Sequence, residues 1–333
     1  MGGKPIVIVG AGLSGLVAAN ALLRLGREVV VVERGPLVGG RLATASLVGL
    51  GGRTARLDHG AQFFTVRFPE FAELVRDWER VGLVREWCRG FGAGGDGFAR
   101  YVVDGGMSEL AKYLALTVDV RTNVVVHAVS GDEGVLAVIA DGGRWESESV
   151  VLTAPIPQSL ALCENGWLPI PELDLVQLAN VDFVPCLALL VTLNGDPRVP
   201  WPGGIQLDAD ETWTFIGDNR AKGISDVPAV TFHATEEVSR ALINSVRLGD
   251  TPDAMRTYLL GKARPWFGSA GLIESEVVRW EYARPRSAIS DFCLVTEPIP
   301  GTLLAFIGDG FANAKVEGAA RSGLAIARIL GGQ

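Results

Sequence analysis

The sequence predicts an α/β fold: a Rossmann-like parallel sheet built on a βαβ unit, joined to a second, mixed α/β unit. Three observations predict it. Apolar runs at Ile6–Val9, within Glu28–Glu33, at Val150–Thr153 and at Leu303–Ile307 have the unbroken hydrophobicity of strands buried on both faces. Between the first two stands Gly10-Ala11-Gly12-Leu13-Ser14-Gly15, opening a helical segment from Leu13 to about Leu25 that Gly26 stops. From about 156 to 290 the composition changes, with recurring prolines and tryptophans and apolar strands such as Cys186–Thr192. At 333 residues, 48% hydrophobic and 20% charged, the chain can bury a sizeable core.

Each element has a local reason. Gly10 permits a tight turn, Gly12 lets the backbone approach a pyrophosphate, and Gly15 lets helix and sheet pack closely. The turn, with Ala11, Leu13 and Ser14, presents free N–H groups at a helix N-terminus, whose dipole favours an anion. Glu33 ends the second strand, next to Arg34, where a carboxylate accepts hydrogen bonds from both hydroxyls of a ribose. A 2′-phosphate would be repelled there, which disfavours NADP at this site. Strand, glycine loop, helix and acid together predict a dinucleotide site.

Three- and four-residue apolar spacing predicts helices over Phe68–Val81, Thr235–Ser245, Thr251–Lys262 and Val316–Ile329. Thr117 to Trp145 alternates β-branched runs with the turns Ser130-Gly-Asp and Asp141-Gly-Gly, predicting antiparallel strands. Pro155 and Pro157 end the strand Val150–Thr153.

Composition excludes several classes. Net charge is -8 and no Lys/Arg run occurs, so nucleic acid is not an expected partner. Glycine, at 42 residues, is about twice average usage but without a triplet period, which excludes collagen. Cys88, Cys163, Cys186 and Cys293 form no C-x-x-C pair, and His59, His127 and His233 are scattered, so no metal site is expected and a reducing compartment is. The run Pro5–Val9 is too short for a signal peptide and no stretch of 18 apolar residues occurs. The expectation is a soluble, cytoplasmic protein with no membrane partner.

Val38-Gly-Gly40-Arg41-Leu42, just past the second strand, resembles the extended signature of FAD-binding proteins in the flavin amine-oxidase superfamily. Asp58-His-Gly-Ala-Gln-Phe-Phe-Thr65, taken with the N-terminal block, resembles bacterial renalase-like proteins, a branch of that superfamily. Gly105–Leu110, Val150–Pro155, Arg279–Ala283 and Gly308-Asp309 leading to Val316–Gly323 extend the likeness over nearly the whole chain. His59 stands where an apolar residue is expected in many relatives, so position 59 takes no family role.

The resemblance implies an amine-oxidase/p-hydroxybenzoate hydroxylase-like fold and noncovalent FAD. It implies Gly40, Arg41 and Leu42 beside the diphosphate, Asp309 on the ribityl chain, Val316 and Glu317 facing the flavin pyrimidine, and the Val126 backbone at the adenine. It also places Ala61, Gln62 and Phe63 near the flavin. The expected division is an FAD-binding domain from 1–60, 103–155 and 295–333, and a substrate domain from 61–102 and 156–294.

Residue chemistry supplies the candidates for the substrate cavity: Gln62, Phe64, Trp213, Trp280 and Tyr282. Gln62 and the phenylalanines follow a Gly-Ala pair that allows close approach to a flat ring, and Trp280 and Tyr282 share a strand face. No Ser-His-Asp arrangement or acid/base pair is assigned. His233 reads as a strand or core histidine, and Lys222 and Lys262 as solvated.

Two reactions fit. By resemblance to renalase, one is oxidation of 2- or 6-dihydroNAD(P) isomers to NAD(P)+ by hydride transfer to flavin N5, with O2 reduced to hydrogen peroxide. The other is amine oxidation. A third reading is a non-catalytic flavin-binding redox protein.

Overall fold

The computed structural model describes residues 4–92 and 96–332. Its first sheet has six strands in the order Leu294–Thr296, Leu303–Phe306, Ser149–Leu152, Ile6–Val9, Val29–Val32, Asp119–Arg121. All neighbours are parallel except the antiparallel edge strand Leu294–Thr296. Side chains alternate between two cores, as a two-residue period requires. Ile6, Ile8, Val29, Val31, Val151 and Ala305 meet the helices Leu13–Arg24 and Val316–Gly331. Val7, Val9, Val32, Val150, Leu152, Leu304 and Phe306 face the other way, onto the meander Val126–Asp132, Val135–Ala140, Gly143–Ser147.

The two helices sit close to each other because glycine permits it: a Cβ on Gly323 would lie 2.4 Å from the Ser14 carbonyl oxygen.

The second sheet is antiparallel throughout, in the order Gly204–Gln206, Trp213–Asp218, Ala229–Ala234, Phe183–Leu193, Leu272–Pro285. Helices Glu236–Arg247 and Pro252–Ala263 cover one face. Each begins on a threonine whose hydroxyl accepts from a first-turn N–H: Thr235 from Val238 and Thr251 from Ala254. The hairpin Thr44–Val48/Thr54–Asp58 packs on this sheet as well, through Leu47, Ala55 and Leu57 against Leu190, Val227 and Ala229. That contact carries Asp58 and the residues after it from the glycine-loop side of the molecule to the second sheet.

The structure departs from sequence expectation in three places. Asp119–Arg121, expected in an antiparallel set, pairs parallel with Val29–Val32 and forms the sheet edge. Pro155 and Pro157 do more than stop a strand: Pro155 caps the helix Ile156–Asn165 and Pro157 occupies its first turn, where a missing N–H costs nothing. The helices Ser108–Ala115 and Glu172–Ala179 were not anticipated, being eight residues each and too short to display a period. No helix among the described residues is long and apolar enough to cross a membrane.

Candidate active site

One end of the site is backbone. Gly10 holds φ +108°, and a Cβ there would lie 2.3 Å from Thr153 Oγ1, which donates to the carbonyls of Val9 and Gly10. A Cβ on Gly15 would lie 2.3 Å from the Gly10 carbonyl oxygen. Gly12 differs: no atom stands within 4 Å of where its Cβ would be. The Gly39 N–H donates to the Ala11 carbonyl at 2.8 Å, so Gly39 and Gly40 lie alongside Gly12. The helix Leu13–Arg24 has neither a side-chain cap nor a first-turn acid, and Val316–Gly331 also lacks a side-chain cap. Uncapped N-termini leave N–H donors free for an anion.

Glu33 borders this cradle. Its carboxylate accepts from the N–H groups of Ala11 and Gly35, both at 2.9 Å. Its carbonyl accepts from the Val124 N–H at 2.9 Å, which brings the start of the meander, with Val126, alongside. Arg34 is exposed next to it.

Arg41 joins three distant segments. Its guanidinium makes a bidentate pair with Asp309, both bonds 2.7 Å, and donates to the carbonyls of Tyr282 and Ala283 at 3.3 Å. Such a planar fork fixes orientation as well as charge. In the loop between Asp309 and the last helix, Asn313 Oδ1 is buried without a partner. Glu317 is buried, and its carboxylate accepts from the N–H groups of Arg67 and Phe68 at 2.8 and 2.9 Å. Its side chain thus ties the 67–68 turn to the helix start. An open Gly12 surface, two uncapped helix ends and an orphaned buried acceptor fit an extended, phosphate-bearing cofactor.

The other end is a polar cluster beneath an aromatic wall. Asp58 Oδ1 accepts from Thr44 Oγ1 at 2.7 Å and the Met107 N–H at 2.8 Å, while Oδ2 accepts from Lys222 Nζ at 3.1 Å. Lys222 also donates to Gln62 Oε1 at 3.1 Å, and both ion-pair side chains are 0% exposed. His59 stacks on Trp280, ring centroids 5.4 Å apart, and Trp280 Nε1 donates to the His59 carbonyl at 2.9 Å. Gln62 Nε2 lies 3.4 Å from His233 Nε2. Burial holds both imidazoles at about 4, well below the ordinary histidine value, although Asp58 pulls His59 the other way. Burial likewise lowers Lys222, against the opposing pull of Asp58.

Several expectations change here. Lys222 is not solvated but fully buried, because Asp58, 164 residues away, supplies its counter-charge; Lys262 is exposed as expected. Phe64 is a core residue, packed on Phe71, Trp78 and Tyr101. Trp213 is core too, 2% exposed and set against Phe232 beneath the covering helices. Trp280 is half-buried beside His59, and Tyr282 packs edge-on to Phe183 with its carbonyl on Arg41. Sequence reasoning missed Phe215, which with Trp87 and Phe91 surrounds Phe63. It also set aside His59 and His233, whose spacing carries no motif.

A glycine turn left open at Gly12, tied through Arg41 and Asp309 to the strand that carries Trp280 and Tyr282, has the form of a Rossmann-like dinucleotide fold joined to an antiparallel sheet. Residues 8–78 match the NAD(P)-binding Rossmann-like domain, and residues 79–330 match the flavin containing amine oxidoreductase family. The chain belongs to that flavin containing amine oxidoreductase family, and FAD is its cofactor.

It is 42% identical over 77 residues to an L-amino-acid oxidase of Echis ocellatus, covering 23% of this chain and 14% of that one. It is 44% identical over 87 residues to lysine-specific histone demethylase 1 homolog 3 of Oryza sativa subsp. japonica, covering 25% of this chain and 10% of the relative. Both matches therefore span a small part of the relative's length. Among solved structures, putrescine oxidase bound to putrescine superposes with a TM-score of 0.65 at 16% identity, 99% of each chain covered. Cyclohexylamine oxidase from Brevibacterium oxydans IH-35A gives 0.63 at 13%, again with 99% of each chain covered. These likenesses carry the fold.

Proposed function

We propose that this protein is a renalase-like FAD-dependent oxidase, taking 2- or 6-dihydroNAD(P) isomers to NAD(P)+ and reducing O2 to hydrogen peroxide. One observation carries the reading: the wall around Gln62 holds no general base for neutral pH. Its two imidazoles sit at about 4, and its lysine is committed as a donor to Asp58 and Gln62. A dihydronicotinamide needs none, because aromatisation to the pyridinium drives hydride loss and alignment suffices.

In this reading FAD, when bound, supplies the two-electron acceptor. The turn Gly10–Gly15 with Gly40 and Leu42 holds the diphosphate, Glu33 the ribose, the Val126 backbone the adenine, Asp309 with Arg41 the ribityl chain, and the backbone at Val316 the pyrimidine. Ala61, Gln62 and Trp280 stand on the substrate side, with Tyr282 packed behind them on Phe183. The segments 1–60, 103–155 and 295–333 form the FAD-binding unit, and 61–102 with 156–294 the substrate unit.

Amine oxidation is the second reading, favoured by the family and by the putrescine and cyclohexylamine oxidases that share the fold. An aromatic cage for an amine finds little support among the tyrosines. Tyr101 stacks on Phe64 in the core, Tyr282 packs on Phe183, and Tyr113 and Tyr258 are exposed.

Anaerobic mixing of the oxidised protein with each donor tests the choice. The dihydroNAD isomers are expected to bleach the flavin band quickly, with peroxide released on admission of air. Rapid bleaching by benzylamine or a polyamine, with both isomers inert, overturns the proposal.

A further inference from the structure

We propose that Lys222 is a positioning residue that sets the donor–acceptor polarity of the candidate site, by fixing the amide of Gln62 and, through it, the tautomer of His233. The inference concerns the wall itself and holds whichever donor the enzyme oxidises.

It follows from hydrogen-bond capacity. An ammonium donates and cannot accept, so the Gln62 atom 3.1 Å from Lys222 Nζ is the amide oxygen. The amide nitrogen then gives one hydrogen to the Asp58 carbonyl, 2.6 Å away, and leaves its second within reach of both the Gly60 carbonyl and His233 Nε2, each 3.4 Å away. Turning the amide over would set oxygen against two carbonyl oxygens and NH2 against a cation. The same nitrogen lies 3.4 Å from His233 Nε2, and an amide nitrogen only donates. His233 Nε2 is therefore bare and accepting, which puts the ring proton on Nδ1. Trp280 Nε1 caps the His59 carbonyl at 2.9 Å. One buried charge thus orders a chain from Lys222 through Gln62 to His233.

The anchor of the chain cannot swing away. Asp58 is gripped through its other oxygen by Thr44 and the Met107 N–H, and its carbonyl also accepts from Thr231 Oγ1 at 2.8 Å. Lys222 itself faces the Trp87 ring, 5.8 Å from Nζ. Lys222 satisfies Asp58 Oδ2 at 3.1 Å, with both side chains at 0% exposure. Its second bond, to Gln62, is what reaches the site.

The test reads the tautomer directly, by 15N NMR of the holoenzyme labelled in its three histidines, with His233→Phe giving the assignment. The wild-type protein is expected to show a bare Nε2 and a protonated Nδ1. Gln62→Met removes the donor to His233 and leaves Lys222 on Asp58, so the single tautomer is expected to give way to a mixture. A protonated Nε2 in the wild type, or a single Nδ1–H tautomer retained in Gln62→Met, overturns the proposal.

Lys222→Met alone strands the Asp58 charge and can unfold the protein, so Lys222→Met/Asp58→Asn is made alongside. In the double variant, loaded with FAD, the single tautomer is expected to give way to a mixture. The saturating rate of flavin bleaching is expected to fall tenfold or more. A single Nδ1–H tautomer and a rate within twofold of wild type would make Lys222 a merely structural cation, and the proposal would fail.

Discussion

The two ends of the site are made of different material. The cradle around Gly10, Gly12 and Gly15 is backbone, held by the absence of side chains, with Thr153 and Glu33 as clamps at its rim. The wall around Gln62 and Trp280 is side chain, held by a buried ion pair and a chain of directed hydrogen bonds. A steric device fails abruptly when one atom is added, whereas a polar network fails by degrees, as single donors and acceptors are lost. Substitutions at the two ends should therefore differ in size and kind.

The largest effect is expected at the cradle. Gly10→Ala puts a Cβ 2.3 Å from Thr153 Oγ1 at a φ of +108°, combining overpacking with backbone strain. Together these should cost about 2–5 kcal/mol and strip FAD from the purified protein. The flavin-to-protein ratio and the denaturant midpoint check this, and a yellow variant of unchanged midpoint would show that the turn has room.

Next is the tie between the ends. Arg41→Ala leaves Asp309 without its bidentate partner in a half-buried setting, the two side chains being 27% and 14% exposed. Discounted for that exposure, a loss of about 1–2 kcal/mol is expected, together with weaker FAD retention. A double-mutant cycle with Asp309→Asn should return most of it as coupling; additive effects would mean that the pair contributes nothing jointly. Glu33→Ala removes the acceptor for two backbone N–H groups at the cradle rim. It should weaken FAD binding about tenfold, roughly 1.4 kcal/mol by titration into the apoprotein. Unchanged affinity would place the adenosine elsewhere.

The wall is expected to respond to acid instead. His59 and His233 sit at about 4 in the folded protein, against roughly 6.5 when unfolded. Between those values the unfolded chain binds more protons, so stability is fully present above about 6.5 and is lost as pH falls toward 4. The slope is up to roughly 1.4 kcal/mol per pH unit for each histidine. His59→Phe keeps a ring on Trp280 but does not titrate, so its unfolding free energy should fall by ~1–2 kcal/mol less than wild type between pH 7 and 5. An equal fall would show that His59 titrates alike in the native and unfolded states.

The same contrast explains what was legible in the sequence. The cradle is contiguous: strand, glycines, helix and Glu33 lie within one βαβ unit, and its glycine spacing is itself the physics. The parallel sheet followed from its unbroken apolar runs, and four of the longer helices from three- and four-residue spacing, for that reason. The wall is assembled from positions 58–62, 222, 233 and 280, and no local pattern encodes their meeting. Lys222 reads as a loop lysine because its burial is decided by Asp58. Trp213, a cavity candidate by sequence, and Phe215, two residues on, would share one face of a regular strand, and an irregularity in the pairing between them and Ala234–His233 separates their fates. The register break leaves Trp213 in the helix-covered core and Phe215 beside Phe63 and His233.

The smallest expected effect is the most discriminating. With both imidazoles at about 4, neither changes charge between about pH 6 and 9, and a dihydronicotinamide sheds hydride without first losing a proton. Flavin bleaching by 2- or 6-dihydroNAD should then vary less than about twofold over that range. An amine behaves otherwise, since only its neutral form is oxidised. Below its own pKa the second-order rate should climb about tenfold per pH unit. No residue of the wall can flatten that climb, because none is available as a base: the histidines are too weak and Lys222 is held by Asp58 and Gln62. A flat profile with a dihydronicotinamide and a unit-slope profile with any amine that reacts would therefore come from one and the same wall. A bell-shaped profile with the dihydronicotinamide, centred near neutrality, would require a titrating group that this geometry does not supply, and would move the chemistry away from Gln62 and Trp280.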